Sequence, residues 1–401
     1  MNIAHQDAIW EASKESASIY NDAIKQNQDG IPKAQAMKSL SIQSKHTKYL
    51  QSQSSQAPYQ NFFIDLSSYF ASLKRYQKSK RGYKNEPKPP HKIKTLHAIT
   101  FKKSAIRVQN GYLLLSLRKP NKPIKLKWSL SKPIWVLINF DIRTGWKMNC
   151  VMEQEVQQHQ LDKTKILAID LGNKRIAASF DGKRCVTYSG KILKSLTRLQ
   201  NKCSARSKAS TSSLIKNSKK YKRVMRARRK ITARINNQKR DILHKTSRAI
   251  VNYAIENNID KIVFGDCSSI HDGTTLGKEN TQQVQQGCEQ KLRKYVEYKF
   301  RNVGGTTELV SERYSSQECP ICDHRYEPRG RTYKCSACGY VYDRDGVGSI
   351  NIYTNVSSGL TLDVVGGLMP PRGWKFHSQL PCTTLRNSYF SMLYCGEPND
   401  L

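Results

Sequence analysis

Along the first 85 residues, apolar side chains recur at steps of three and four. Ile9-Trp10, Ala17, Ile19-Tyr20 and Ala23-Ile24 form one series, and Phe62-Phe63, Leu66, Tyr69-Phe70 and Leu73 form another. That spacing gathers apolar groups on one helix face, so the segment is predicted to be mainly helical. The polar run Gln51 to Gln56 between the two series predicts a loop. From Lys78 to Lys92 the chain is basic and carries Pro87, Pro89 and Pro90. Proline has no N–H for the helix ladder, so this stretch predicts a boundary. Beyond it the pattern changes. Ile106 to Val108 and Tyr112 to Leu117 flank Asn110-Gly111, a pair that tolerates the positive φ angles of a tight hairpin turn. With the apolar run Trp135 to Ile138, residues 95–152 predict a small antiparallel barrel or sheet, with no catalytic cluster inside it.

The pattern sharpens from Lys165. Ile166 to Ile169 ends at Asp170, and Gly172-Asn173 turns into Arg175 to Phe180. Asp181-Gly182 turns again into Cys185 to Tyr188. This predicts a three-strand meander with an acid where the first strand ends. Ile231, Ile235, Ile242 and Ile250 then recur as one helical seam. A second buried strand is predicted at Lys261 to Asp266, and a helix at Lys291 to Phe300. Asp343-Arg344-Asp345 leads into a further helix through Ser349 to Ile352. The tail beyond 355, with Pro370-Pro371-Arg372, reads as a flexible end.

Charge alters this picture more than composition does. The chain has 401 residues, with 68 Lys and Arg against 31 Asp and Glu, a net charge of +37. So large an excess opposes compaction unless a polyanion neutralises it, and nucleic acid is the obvious one. Residues 191–248 hold 20 of the Lys and Arg against a single acid, Asp241. Lys222, Arg223, Arg226, Arg228, Arg229, Lys230 and Arg234 surround the helix instead of lining one face. Like charges at these spacings destabilise a helix unless phosphates come between them. A merely solvated helix face is the plainer reading of such a run, and it lacks the carboxylates that would balance one. The opening residues have neither the basic start nor the apolar core of a signal peptide. No apolar run reaches the roughly 18 residues of a membrane helix. The expectation is a soluble cytoplasmic protein, nucleoid-associated and of prokaryotic type.

Eleven cysteines in such a protein are expected to be reduced. Cys150, Cys185, Cys203, Cys267, Cys288, Cys382 and Cys395 are scattered and read as structural. The other four form Cys319-Pro-Ile-Cys322 and Cys335-Ser-Ala-Cys338, twelve residues apart. Two such pairs at this distance close a tetrahedron of thiolates around zinc and leave no open position, so the site is structural. A redox pair or an accidental one is the alternative. The acids carry the possible catalysis. A metal-dependent phosphodiesterase needs carboxylates at neighbouring strand ends to hold two magnesium ions roughly 4 Å apart. Asp170 lies where an RNase H-like fold places its first ligand, although a turn aspartate before Leu171-Gly172 would look the same. Asp345, ahead of a helix that this fold brings beside the first strand, strengthens the metal reading.

These residues carry a resemblance. Ile166 to Arg175, reading Ile-Leu-Ala-Ile-Asp-Leu-Gly-Asn-Lys-Arg, is similar to the first RuvC motif of the transposon-encoded TnpB (OrfB) proteins. Tyr314 to Cys322 resembles that family's lead into its zinc ribbon. Cys335 to Gly339, followed by Asp343-Arg344-Asp345, resembles the ribbon's exit into the third RuvC motif. The order of acid, basic helices, second strand, ribbon and last acid is shared with type V CRISPR relatives. The likeness covers 163–355 strongly. It is weaker before that, at Ile19 to Ala23 and Pro87 to Pro90.

The resemblance implies an α/β multidomain protein and a domain order. A helical recognition region (1–85) and a small antiparallel β-barrel (86–162) precede an RNase H-like RuvC nuclease core (163–312) with the basic insert 191–248. The zinc ribbon (313–342) and the last RuvC motif with its tail (343–401) follow. It implies a magnesium-dependent, RNA-guided DNA endonuclease whose guide RNA derives from the transposon end and whose target is double-stranded DNA. The sequence departs from the family in three places. Gly265 stands where the second motif usually has Glu, with Asp266 next. Asp345 is followed by Gly346-Val347 instead of the usual Asp-x-Asn. The chain also starts in its first helical segment, without the usual opening strand. A relocated Glu is described in some members, and Glu312 fits that place. Asp266 is the alternative third ligand, and a surface position at a strand end is the plain reading of Glu312. Gly265 also admits a guided DNA-binding protein that has lost cleavage. A transposase is disfavoured, because no His pair with a nucleophilic Tyr is evident.

Overall fold

The computed structural model describes residues 3–30, 47–78, 85–142, 145–153, 155, 159–172, 174–266, 287–328, 330–357 and 367–374. By their contacts these fall into two units, one within residues 1–154 and one within 155–390.

In the first unit, α1 (Ile3–Gln28) and α2 (Ser52–Lys78) form over the two predicted apolar series and bury Ile9, Ile19, Tyr20, Ile24 and Phe62, while Trp10 and Phe70 stay exposed. The polar run Gln51 to Gln56 is not a loop, because α2 begins at Ser52. N–H groups in a helix's first turn lack intrahelical partners, so polar residues suit that turn as well as they suit a loop. Six strands follow: β1 (Ile99–Lys102), β2 (Ile106–Gln109), β3 (Tyr112–Leu115), β4 (Ile124–Lys127), β5 (Trp135–Asp141) and β6 (Gly145–Val151). Asn110 and Gly111 take φ of 50° and 72° and close the β2–β3 hairpin. The strands pair as two antiparallel sheets, β1-β5-β6 and β2-β3-β4, so the expected barrel is not closed. A 3-10 turn at Lys103–Ala105 breaks the ladder between β1 and β2. The two sheets and both helices share one core, in which Phe101, Ile106, Leu113 and Val136 meet Ile9, Tyr20 and Phe62.

The second unit is built on a six-stranded mixed sheet. Its strands are β7 (Asp162–Asp170), β8 (Arg175–Phe180), β9 (Cys185–Ser189), β10 (Ile259–Gly265), β11 (Thr306–Val310) and β14 (Arg372–Trp374). Their order is β11-β10-β7-β8-β9-β14. The meander β7-β8-β9 is antiparallel, and β10 runs parallel to both β7 and β11. Parallel neighbours need long crossovers. These are α3 (Lys191–Ser212) with α4 (Lys219–Glu256), and then α5 (Glu289–Arg301). The apolar seam of α4 is Ile235, Ile242 and Ile250, whereas Ile231 is 43% exposed. The tail contributes β14, parallel to β9. Cys267, Cys382, Cys395, Asn173 and the tail beyond residue 374 lie outside the described residues.

Both faces of the sheet's centre are covered, which is why its central strands β7, β8 and β10 carry near-continuous apolar runs. Leu167, Ile169, Ile262 and Phe264 pack toward α4 and α5 with Ile250, Leu292 and Phe300. Ala168 and Val263 pack on the other face, against Ile352 of α6 (Arg344–Thr354). Strand side chains alternate, so Asp170 and Gly265 share the α6 face. Continued one residue past the strand, the same alternation would set Asp266 on the face of Ile262 and Phe264. Among the described residues, no helix is long and apolar enough to cross a membrane.

Candidate active site and cysteine ribbon

Parallel register aligns three strand ends. Phe264 pairs with Ile169 and Gly265 with Val310, so Asp170, Gly265 and the Ser311-Glu312 segment leave the sheet at one edge. Open α/β sheets bind their ligands outside the carboxyl ends of such strands. A Cβ built on Gly265 would lie 2.7 Å from Glu312 Oε2 and 3.0 Å from Glu312 Cβ. The Glu312 side chain therefore lies across the space that a residue larger than glycine would fill at 265. Asp170 is similarly close to α6, since a Cβ on Gly348 would be 2.5 Å from its Oδ2. Asp345 is in the first turn of α6, one residue inside the helix and not ahead of it as expected. The N-cap is Asp343, whose carboxylate accepts from the N–H groups of Asp345 (3.1 Å) and Gly346 (3.2 Å).

Glu312 and Asp345 both act on Asp170. Burial, then the charges of Glu312 and Asp345, push the Asp170 carboxyl well above its ordinary range; Arg344 and the Leu171 N–H oppose this. Two arginines temper the cluster. Arg175 pairs with Asp343 and lies 3.7 Å from Asp345, and Arg331 pairs with Asp345. Asp266 follows Gly265 at the end of β10. Its N–H donates to Val310 O at 2.8 Å and extends the β10–β11 ladder. Neither Arg331 nor Gly348 was legible as a functional residue, since only the folded ribbon and the helix–strand approach bring them to the acids.

A raised carboxyl pKa has a consequence for stability. Ionised Asp170 is disfavoured in the fold relative to the unfolded chain, so its penalty is absent at acid pH and grows as pH rises toward the folded pKa. Asp170→Asn keeps the shape and removes the charge. At neutral pH without divalent metal it is expected to raise the thermal midpoint by about 2–4 °C, the shift that roughly 1 kcal/mol gives a domain of this size. Calorimetry of the two proteins checks this, and an unchanged or lower midpoint counts against like-charge repulsion at the site.

The four cysteines converge. Their sulfur atoms lie within 4.8 Å of one another, with Cys319 to Cys338 and Cys322 to Cys335 both at 3.6 Å. Tetrahedral zinc with bonds of about 2.3 Å spaces its sulfurs about 3.8 Å apart, so the set fits that ion. Each pair sits on a tight knuckle. Cys319 N–H donates to His324 O (3.0 Å), and Cys335 N–H donates to Tyr340 O (2.8 Å). Asp323 and Gly339 turn the knuckles with φ of 55° and 74°. Short strands β12 (Thr332–Lys334) and β13 (Val341–Asp343) complete the ribbon. Cys319, Cys335, Tyr333 and Tyr342 pack in one cluster with Phe180 of β8 and with Val347 and Ile350 of α6. The ribbon is thus built onto the helix that carries Asp345.

The basic segment forms the α3–α4 hairpin. Lys239 Nζ donates to Gln200 Oε1 (2.9 Å), and Arg228 donates to Ser204 Oγ (2.7 Å). Lys222, Arg223, Arg226, Lys230 and Arg234 are exposed, while Arg228 and Arg229 are half-buried. If these groups meet phosphate, neutralising Arg226, Arg228, Arg229 and Lys230 together should flatten the salt dependence of RNA binding, by about one unit of slope for each phosphate no longer paired. Binding titrations across salt concentrations measure this, and an unchanged slope would make the residues solvent-facing.

Fold and cysteine cluster together define a mixed α/β protein carrying a four-cysteine ribbon, and known proteins share both parts. Residues 290–352 match the Cas12f1-like TNB domain, and residues 149–271 match the OrfB_IS605 family, described as a probable transposase. More particularly, a TnpB-like protein of Methanocaldococcus jannaschii is 29% identical over 193 residues, 47% of this chain and 68% of the relative. The resemblance to the TnpB (OrfB) proteins carried by the motifs therefore holds. The fold resembles that of the protein in a cryo-EM structure of a Cas12f1-sgRNA-target DNA complex, with a TM-score of 0.53 and 13% identity over 87% of this chain and 82% of that one.

Proposed function

We propose that this chain is a transposon-associated, RNA-guided DNA endonuclease whose second unit is an RNase H-like RuvC domain. The observation that carries the reading is the packing of Glu312 over Gly265, beside Asp170 and within reach of its charge. On this reading the carboxylate that the family usually places on β10 comes from the segment after β11, and glycine at 265 makes room for it. Asp170, Glu312 and Asp345 form a hard-oxygen donor set whose mutual repulsion a divalent cation would relieve, which suits magnesium. Magnesium, when bound there, supplies Lewis acidity that activates water and stabilises the leaving oxygen. The chain's own part is positional: β7, β11 and α6 fix three carboxylates at one sheet edge, and Arg175 and Arg331 hold Asp345. The cysteine ribbon holds structural zinc. The α3–α4 hairpin offers cations to a nucleic-acid backbone, and the helices and sheets of the first unit are assigned to guide and target recognition.

Support for the guided reading comes from the relatives, one of which was solved with a guide RNA and target DNA. The test is purification with copurifying RNA, followed by cleavage of DNA matching that RNA in magnesium or EDTA. Cleavage only with magnesium and a matching target is expected. Target binding without cutting would favour the nuclease-deficient guided binder instead, and no copurifying RNA would count against both.

A further inference from the structure

Asn351 lies on α6, six residues beyond Asp345, and is 5% exposed. A buried carboxamide needs partners, and its Nδ2 donates to Ser315 O at 2.6 Å and Glu318 O at 2.8 Å. Both carbonyls belong to the turn between Glu312 and the zinc ligand Cys319. That turn is tightly wound. Ser315 N–H donates to Glu312 O (3.0 Å), and the N–H groups of Gln317 and Glu318 both donate to Tyr314 O (2.8 and 3.1 Å). At its centre Tyr314 takes φ of 65°, a left-handed conformation that a bulky side chain holds only when its surroundings enforce it. The guanidinium of Arg325 lies 3.8 Å above the Tyr314 ring, and Asn351 holds the turn through the Ser315 and Glu318 carbonyls. The next residue, Ile352, reaches within 2.9 Å of where a Gly265 Cβ would be, the space that Glu312 shares.

We infer that Asn351 is the positioning residue for Glu312: its amide fixes the turn after β11, so that the Glu312 carboxylate is held over Gly265 beside Asp170. The inference rests on the reading of Glu312 as a metal ligand and adds the group that aims it. The same helix thus presents Asp345 from its first turn and sets Glu312 from its second.

The experiment measures Mn2+ affinity of the full chain by electron paramagnetic resonance, with zinc content determined on the same samples. Four proteins are compared: the natural chain, Glu312→Gln, Asn351→Ala and the double variant. Asn351→Ala is expected to weaken Mn2+ binding about tenfold, the low end of what losing a ligand-orienting partner costs, with one zinc per chain retained. The double variant should bind no worse than Glu312→Gln alone, because Asn351 acts through Glu312. Unchanged affinity in Asn351→Ala alongside a weakened Glu312→Gln overturns the inference and leaves the ligand reading standing. Additive losses in the double variant, or zinc lost with Asn351→Ala, overturn it too. Natural affinity in Glu312→Gln removes the ligand reading itself and the inference with it. Should the alanine variant not fold, Asn351→Ser retains one donor and should show a smaller loss in the same direction, an unchanged affinity again overturning the inference.

Discussion

Glu312→Gln is expected to abolish magnesium-dependent cleavage while guide-directed target binding persists. The amide keeps the shape that packs over Gly265 but offers one neutral oxygen where the carboxylate offered a charge. Losing a charged ligand from a site that stabilises the leaving oxygen forfeits several kcal/mol of transition-state stabilisation. At about 1.4 kcal/mol per tenfold, the rate should fall roughly a thousandfold. Asp266→Asn should cut nearly as the natural protein does, because strand alternation sets it on the face of Ile262 and Phe264, away from Asp170. Cleavage rates at saturating guide, with binding measured separately, decide this. If the two variants exchange behaviours, the carboxylate has not moved from β10 to the segment after β11. If both cut normally and Asp170→Ala does too, the chain is a guided binder.

Removing zinc is expected to have the next largest effect, by a different route. Cys319→Ser or Cys335→Ser should lose the metal, because each takes one of four thiolates from a closed site whose binding energy is folding energy. The damage should not stay in the ribbon. Cys319, Cys335 and Tyr342 share a cluster with Val347 and Ile350 of α6, and Arg331 of the ribbon pairs with Asp345. A collapsed ribbon therefore frees both ends of the device that places Asp345, and a displacement of about 1 Å at a reacting centre can cost a hundredfold. Cleavage should fall by about that factor or more, together with zinc content in elemental analysis and the folded signal of the ribbon tyrosines. A zinc-free, folded variant with normal cleavage would separate the ribbon from the active site.

Much of the proposed centre was legible in the sequence as a set of candidates, and the reasons differ by residue. Asp170 stands out because an unbroken apolar strand ends on it, and strand endings are written in local periodicity. The four cysteines stand out because a knuckle brings its two thiolates together within four residues. Glu312 was legible only through the missing acid at Gly265 and a family motif, since nothing in its own neighbourhood requires a carboxylate. Asn351, Arg331 and Gly348 gave no signal, because their partners are fixed by packing between elements distant in the chain. The polar run at Gln51 to Gln56 misled for a related reason: its first-turn polarity is the same in a loop and in a helix start. The strands pair as two separate sheets instead of a closed barrel, because the chain changes sheet at the Lys103–Ala105 turn and again between β4 and β5.

The long helix α4 buries no residue before Ile235, and its companion α3 buries only Leu193. The outer part of this hairpin is therefore held by little apolar packing and strained by its own cations, with a polyanion as the missing counterweight. Local opening is cheapest where burial is least, so among the described helices this hairpin is the one expected to open to a protease most readily in protein that carries no nucleic acid. If the chain binds a guide RNA as proposed, its lifetime in a cell would follow the supply of that RNA, with unloaded copies cleared and loaded ones spared. A search for tryptic cuts between Lys216 and Arg234, with and without RNA, makes that turnover visible.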